Sequence, residues 1–124
     1  MIEVEPVSYD VVAPFASRAA KEHVALGRTA NTEWFAVQNH GEMRGFAALM
    51  KIGSGFRLKG FWVHPDHRGN GIGTALLTTL IGIAEDRCAS KVEALALNPR
   101  IYETLGFRRA TTMRTGAVKV LKLL

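Results

Sequence analysis

The stretch Val63-His64-Pro65-Asp66-His67-Arg68-Gly69-Asn70-Gly71-Ile72-Gly73-Thr74-Ala75-Leu76-Leu77 decides the fold of this chain. It has the pattern of a strand end, a short turn and a glycine-rich loop that opens a helix. Such a junction presents unpaired backbone N–H groups and the positive end of a helix dipole to an anion. The alternate glycines let a phosphate group approach the backbone, and Arg68 adds a positive charge. The loop is therefore predicted to hold a pyrophosphate group.

The bulk composition bounds the class of protein. The 124 residues predict one domain over residues 1–124, and 48% hydrophobic with 22% charged residues is typical of a globular core. Apolar runs are short and the N-terminus is acidic, so we expect neither a transmembrane helix nor a signal peptide. Cys88 is the only cysteine, which excludes an intrachain disulfide and favours a cytoplasmic location.

The chain is basic, with a net charge of +5 and a pI near 9.8. This charge fits either nucleic-acid binding or an anionic cofactor. The Arg and Lys residues are scattered, and no run of five or more occurs. The pattern therefore favours the anionic cofactor.

The order of predicted elements defines the fold class. Hydrophobic periodicity predicts a strand over 2–7, a helix over 9–26 interrupted at Pro14, three strands within 33–63, a helix over 71–87, a buried strand over 91–97, a short helix over 99–105, and final strands over 107–110 and 117–124. A strand, a helix and a strand form a crossover, so strands 56–63 and 91–97 should be parallel. The chain is thus predicted to be α/β, with a mixed sheet built from an antiparallel meander followed by a β-α-β crossover.

Two local motifs carry a family resemblance. The first is Arg68-Gly69-Asn70-Gly71-Ile72-Gly73, preceded by Val63-His64-Pro65-Asp66, and the second is Asn98 followed by Tyr102-Glu103-Thr104-Leu105-Gly106-Phe107. In this order and across the predicted crossover, they resemble the acetyl-CoA loop and the late Asn and Tyr-x-x-x-Gly-Phe segment of the GNAT N-acetyltransferases. The resemblance covers nearly the whole chain and implies a GNAT-like acyl-CoA N-acyltransferase fold.

The resemblance also implies an activity and a set of site residues. The activity is transfer of an acetyl group from acetyl-CoA to a primary amine of a small molecule or peptide, by direct attack and without a covalent enzyme intermediate. Tyr102 would donate a proton to the departing CoA thiolate. The strand that ends at Val63 would splay from its parallel neighbour. Acetyl-CoA would be bound by the backbone of Phe61, Trp62 and Val63, by Arg68, by the loop residues Gly69, Asn70, Gly71, Ile72, Gly73 and Thr74, and by Asn98.

The general base is open. Many relatives carry a Glu on the strand before the loop, but residues 56–63 contain no carboxylate. His64, Glu93, Glu33 and an ordered water are candidates, and His64 has a suitable ordinary pKa of about 6.5. Since a residue between Val63 and Pro65 usually faces the turn, the water is favoured and His64 is the side-chain alternative. His64 and His67 lie three residues apart, but only Asp66 is near as a third ligand, so no metal site is predicted.

Two other functions stay open. The missing carboxylate and the short spacing from Asn98 to Tyr102 fit a GNAT-like domain that binds CoA as a sensor or interaction module without catalysis. A basic nucleic-acid-binding module would show steeply salt-dependent binding. For partners we expect acetyl-CoA and an amine acceptor, with no membrane and no nucleic acid. A homodimer could form if the apolar strand 118–124 lies at a sheet edge.

Overall fold

The computed structural model describes residues 2–124, so only Met1 of the predicted domain lies outside the described residues. Its strands are β1 (Glu5–Val7), β2 (Thr32–Asn39), β3 (Glu42–Ile52), β4 (Gly55–Val63), β5 (Lys91–Ala96), β6 (Arg108–Thr112) and β7 (Val118–Leu123). Its helices are α1 (Tyr9–Val12), α2 (Ala16–Ala20), α3 (Ile72–Asp86) and α4 (Arg100–Thr104), with 3-10 turns at Ala13–Phe15 and Pro65–His67. In this part of the chain no helix is long and apolar enough to cross a membrane.

The strands form one mixed sheet in the order β1-β2-β3-β4-β5-β7-β6. Strands β1 to β4 are an antiparallel meander. Helix α3 then crosses over, so that β5 pairs parallel to β4, and β7 returns antiparallel beside β5. This arrangement confirms the predicted α/β class and the meander followed by a β-α-β crossover.

Each face of the sheet has its own core. Helix α3 is amphipathic and buries Leu77, Leu80 and other apolar side chains against one face. Each such fully buried side chain stabilises the fold by about 1.5–3 kcal/mol. On the opposite face, α1 and α2 pack with the aromatic side chains of β2, β3 and β4, a cluster that includes Trp34, Phe46 and Trp62. Both cores meet at β4, which holds side chains of each.

The N-terminal region differs from the prediction. Strand β1 begins at Glu5 rather than at residue 2, and the helix predicted over 9–26 is two short helices that end at Ala20. Pro14 interrupts the helix because its ring displaces the preceding turn and it lacks an N–H. His23, at φ 64°, ends the second helix, with its N–H bonded to Ala20 O and the Val24 N–H bonded to Ala19 O. This pair of hydrogen bonds is a Schellman motif, which usually uses glycine at the left-handed position.

The C-terminal half corrects two further expectations. Strand β7 lies between β5 and β6 because Val120 pairs with Ala94 on one side and Arg109 on the other, so the edge strands are β1 and β6. The prediction of 118–124 as an edge is therefore wrong. The segment 91–97 is not buried throughout, since Leu95 and Leu97 are exposed. They lie beyond the part of β5 that pairs with β4.

Candidate functional site

Strands β4 and β5 separate part of the way along the sheet. Their parallel pairing covers Phe56, Arg57 and Leu58 of β4, and β4 then continues to Val63 without β5 beside it. Gly60, at φ 61°, lies where the register between β3 and β4 shifts, and a Cβ on it would meet the Trp34 ring at 2.4 Å. A β-bulge of this kind bends the strand. The backbone of β4 beyond Leu58 is thereby turned away from β5, as the splay implied by the resemblance requires.

The splay opens a groove of about 600 Å³, which we call the strand groove. It is bounded by β4 from Arg57 to Phe61, by residues 95–98 at the end of β5, by Ile101 and Tyr102 of α4, and by residues 22–25 after α2. Beside it lies a second cavity of about 520 Å³, the loop cleft, against the glycine-rich segment. Glu22, Val24, Phe61 and Ile101 line both cavities, so the two cavities adjoin.

The glycine-rich loop has the backbone conformation that the sequence predicts. Gly69 and Gly71 both have φ of 83°, and no atom lies within 4 Å of a Cβ built on Gly69. Helix α3 begins after Gly71, and its first internal hydrogen bond runs from the Ala75 N–H to Gly71 O at 3.0 Å. The N–H groups of residues 72–74 precede this bond and lie at the positive end of the helix. This end of α3 can therefore bind an anion.

The loop cleft gathers most of the predicted cofactor residues. Helix α3 approaches β4 closely at Gly73. A Cβ on this residue would lie 2.9 Å from the Phe61 ring. Asn70 is exposed in the loop and does not line the cleft, and Asn98 lines the strand groove instead. The predicted residues that line the loop cleft are Phe61, Trp62, Val63, Arg68, Gly69, Gly71, Ile72, Gly73 and Thr74.

The Arg68 guanidinium points back from the loop towards the end of β4. Its Nε donates to Val63 O at 2.9 Å, and its Nη2 donates to Glu22 Oε1 at 2.5 Å. Arg68 thus ties the start of the loop to β4 and to the segment after α2, while its charge still lies beside the loop cleft.

Tyr102 and Asn98 both lie on the strand groove. The Tyr102 side chain is 4% exposed and packs edge-on against Phe61 and Phe107, with ring centroids 6.3 Å and 5.5 Å away. Burial raises the pKa of Tyr102 well above its ordinary value, so the hydroxyl keeps its proton. The Asn98 Oδ1 accepts a hydrogen bond from the Arg100 N–H at 3.3 Å, which holds the entry to α4.

The candidate bases lie outside both cavities. His64 Nδ1 accepts a hydrogen bond from the Asp66 N–H at 3.1 Å, so a neutral ring carries its proton on Nε2. Glu93 is 2% exposed and accepts two hydrogen bonds from Arg57, at 3.0 Å and 2.7 Å. Glu33 is paired with Arg87. Within residues 2–124, no group of three His, Cys, Asp or Glu side chains is placed to hold a metal ion.

Sequence reasoning missed Glu22. Its carboxylate accepts hydrogen bonds from Trp62 Nε1 at 2.8 Å and from Arg68, and these donors lower its pKa. Glu22 is the residue before His23, at the end of a helix that the sequence predicts to continue to residue 26. A left-handed His23 would have been the signal that the helix turns away here, but this conformation is uncommon for any residue other than Gly, although His adopts it more often than most.

Comparison with known proteins agrees with this geometry. A sequence model described as an acetyltransferase (GNAT) domain matches residues 30–109. A search of curated protein sequences found no significant match.

Several solved structures have the same fold. PaiA N-acetyltransferase from Thermoplasma acidophilum, solved with coenzyme A, has a TM-score of 0.81 at 13% identity and covers 100% of this chain and 99% of its own. Rv2747 from Mycobacterium tuberculosis, also solved with CoA, has a TM-score of 0.82 at 15% identity and covers 98% and 99%. N-acetylglutamate synthase from Neisseria gonorrhoeae, solved with coenzyme A and N-acetyl-glutamate, has a TM-score of 0.80 at 18% identity and covers 100% and 35%.

The sequence model spans well over half of the chain. Its matched range, residues 30–109, includes the glycine-rich loop, β5 and α4. The fold of the solved structures extends to the whole chain. The protein therefore belongs to the GNAT acetyltransferase family.

Proposed function

We propose that the protein is an acetyl-CoA-dependent N-acetyltransferase that acetylates a primary amine of a small molecule or peptide by direct attack. The observation that carries this proposal is that the loop cleft adjoins the strand groove around Phe61 and Ile101. A long molecule with phosphates at one end and a thioester at the other fits two adjoining cavities, one at a helix N-terminus and the other at Tyr102.

The residues present fit acetyl-CoA. The amides of residues 69–74 would bind the pyrophosphate, with Arg68 beside them. The backbone of Phe61, Trp62 and Val63 would bind the pantetheine amides, because β4 has no strand on its β5 side beyond Leu58. Asn98, on the opposite wall of the strand groove, would contact the same arm.

The proposed reaction requires no covalent bond to a residue of this chain. When bound, acetyl-CoA supplies an activated acetyl group that an unprotonated amine attacks. Tyr102 lines the strand groove and keeps its proton, so its hydroxyl is placed to donate to the departing thiolate. Glu33 and Glu93 are held in ion pairs, and a neutral His64 has no free ring nitrogen that accepts a proton. An ordered water relay therefore serves as the base in this proposal.

Calorimetric titration with acetyl-CoA and CoA tests the first half of the proposal, and release of CoA thiol over a panel of amines tests the second. Saturable binding and amine-dependent thiol release are expected. Absence of CoA binding would contradict the proposed cofactor site, and binding without thiol release would contradict catalysis.

A second candidate function is a GNAT-like domain that binds CoA without catalysis. The observation that favours it is that Glu33 and Glu93 are both ion-paired and neither lines either cavity. It predicts calorimetric CoA binding with no thiol release for any amine of the panel. A cytoplasmic location is also part of our proposal. The homodimer loses its stated basis because β7 is not an edge strand, and sedimentation would measure the oligomeric state.

A further inference from the structure

The strand groove carries charges of both signs. Glu22 contributes a carboxylate where the groove joins the loop cleft, and Arg57 and Lys59 contribute cations from β4. Arg57 and Lys59 alternate with the buried Leu58, so they project from the same face of the sheet. The charges thus lie on one groove rather than on opposite sides of the molecule.

The two cations are not equivalent. Arg57 is bound to the buried carboxylate of Glu93, which is also 3.8 Å from Lys91 Nζ and 3.9 Å from Lys119 Nζ. Lys59 has no carboxylate within ion-pair distance among the residues that the structure describes. Its side chain is half-buried in the groove wall. Lys59 is therefore the groove cation whose charge a ligand would neutralise.

Glu22 is already paired with Arg68, but each of its carboxylate oxygens can accept a further hydrogen bond, so it can still bind an amine, whereas it is poorly suited to take up a proton. Hydrogen bonds from Trp62 and Arg68 lower its pKa, so the carboxylate stays ionised at neutral pH. A weakly basic carboxylate is a poor general base, but it attracts an amine in either protonation state. It lies at the junction of the two cavities and lines the same strand groove as Tyr102, beside which the proposed thioester would lie.

The groove also has an apolar wall. Leu95 and Leu97 are 44% and 55% exposed although they are large and apolar, and both line the groove. Met50 of β3, the cross-strand partner of Arg57, also lines the groove. An apolar ligand segment that covered these side chains would remove hydrocarbon surface from water.

We infer that the acceptor is an amino carboxylate with an apolar body, whose amine lies at Glu22 and whose carboxylate lies at Lys59. This inference rests on the proposed N-acetyltransferase function and names the acceptor class of the same site. A plain alkylamine or an amide lacks the anionic group that Lys59 would bind.

The test compares matched acceptors. Leucine, 4-aminobutanoate and 6-aminohexanoate are each assayed beside the corresponding amide, so that the separation of amine and carboxylate varies. At least one acid is expected to exceed its amide about tenfold in kcat/KM, as a charged hydrogen bond would give. Lys59→Met should abolish this preference by lowering the value for the acid alone, and Lys51→Met, an exposed lysine of β3 outside the groove, should preserve it.

Equal rates for every acid and its amide, or an equal loss for both in Lys59→Met, would overturn the inference. Calorimetric titration of the same compounds into CoA-saturated protein separates its failure from that of the proposed function. If CoA binds but nothing is acetylated, catalysis fails, and tighter binding of an acid than its amide still supports the groove assignment. If CoA itself does not bind, titration of the free protein gives the same comparison. Equal binding of every acid and its amide would then overturn the inference.

A second variant checks the amine end of the groove. Glu22→Gln should weaken binding of an acid and its amide by the same factor, since both carry the amine. Glu85→Gln, an exposed carboxylate on α3, is the matched control and should leave both unchanged. Unchanged binding in Glu22→Gln would contradict the placement of the amine.

Discussion

Tyr102 combines a hydroxyl group with a ring that is almost completely buried. If it protonates the departing thiolate, Tyr102→Phe should lower kcat about 100-fold, as loss of a general acid does, and leave the calorimetric affinity for acetyl-CoA near that of the wild type. Tyr9→Phe, which changes a half-buried tyrosine that packs on Trp34, is the matched control. A wild-type kcat in Tyr102→Phe would contradict the role of acid.

The raised pKa of Tyr102 also has a pH consequence. A phenol ordinarily loses its proton near pH 10, and burial moves that loss to higher pH. The acid should therefore stay protonated, and thiol release should show no decline caused by Tyr102 as the pH passes about 10, where an ordinary phenol would be half ionised.

Gly71 holds the backbone conformation from which α3 begins. Alanine at φ 83° is strained by about 1–2 kcal/mol, and relief of that strain would move the N–H groups at the start of the helix. Gly71→Ala should therefore weaken acetyl-CoA binding about tenfold, or 1.4 kcal/mol, in a calorimetric titration. Gly116→Ala imposes the same strain at φ 90° in the turn before β7 and should leave binding unchanged. Equal affinities of the two variants would argue against a cofactor role for the loop.

At the scale of residues, the predictability of the site follows local chemistry. The loop residues were predicted because glycine at alternate positions reports the backbone conformation directly. Glu22 was not, because its place depends on the left-handed His23 and on contacts with Trp62 and Arg68, which are 40 and 46 residues away in sequence.

Strand β4 shapes the site through a single bulge. Gly60 has φ of 61° and lies against the Trp34 ring, so a methyl group there is both strained and sterically blocked. Gly60→Ala should destabilise the fold by about 3 kcal/mol in urea unfolding, since strain and overpacking each cost 1–3 kcal/mol. Gly53→Ala has similar strain at φ 53° but open space around the new methyl, and it should cost about 1 kcal/mol. A similar loss in both variants would show that the Trp34 contact is unimportant.

At the scale of elements, length decides what the sequence predicts. Helix α3 was predicted over 71–87 and spans Ile72–Asp86, and the three meander strands were predicted as such. Fifteen residues give a strong periodic signal. Helices α1 and α2 have four and five residues, too few to be stable alone, so their ends depend on tertiary packing that no local pattern reports.

Ion pairs connect distant parts of the whole molecule. Glu33 of β2 is bound by Arg87, beyond the end of α3, and this hydrogen bond lowers the pKa of Glu33. A lowered folded-state pKa means that the contribution is complete above the ordinary value of 4.5 and is lost as pH falls through the folded-state value. Glu33→Gln should therefore reduce the fall of Tm between about pH 5 and pH 3. An unchanged pH profile in thermal unfolding would show that the pair does not stabilise the fold.

The short pairing of β4 with β5 divides the sheet into two blocks, β1–β4 and β5–β7–β6, which meet along a narrow seam. Helix α3 packs on both blocks and holds them together. A ligand in the strand groove would touch both blocks and act as a clamp across the seam. Saturating acetyl-CoA is therefore expected to slow amide hydrogen exchange at Leu95 and Ala96 more than in β2 and β3, whose pairing runs from Thr32 to Asn39. The opening that admits the substrate is thus also the line along which the two blocks of the sheet should separate transiently.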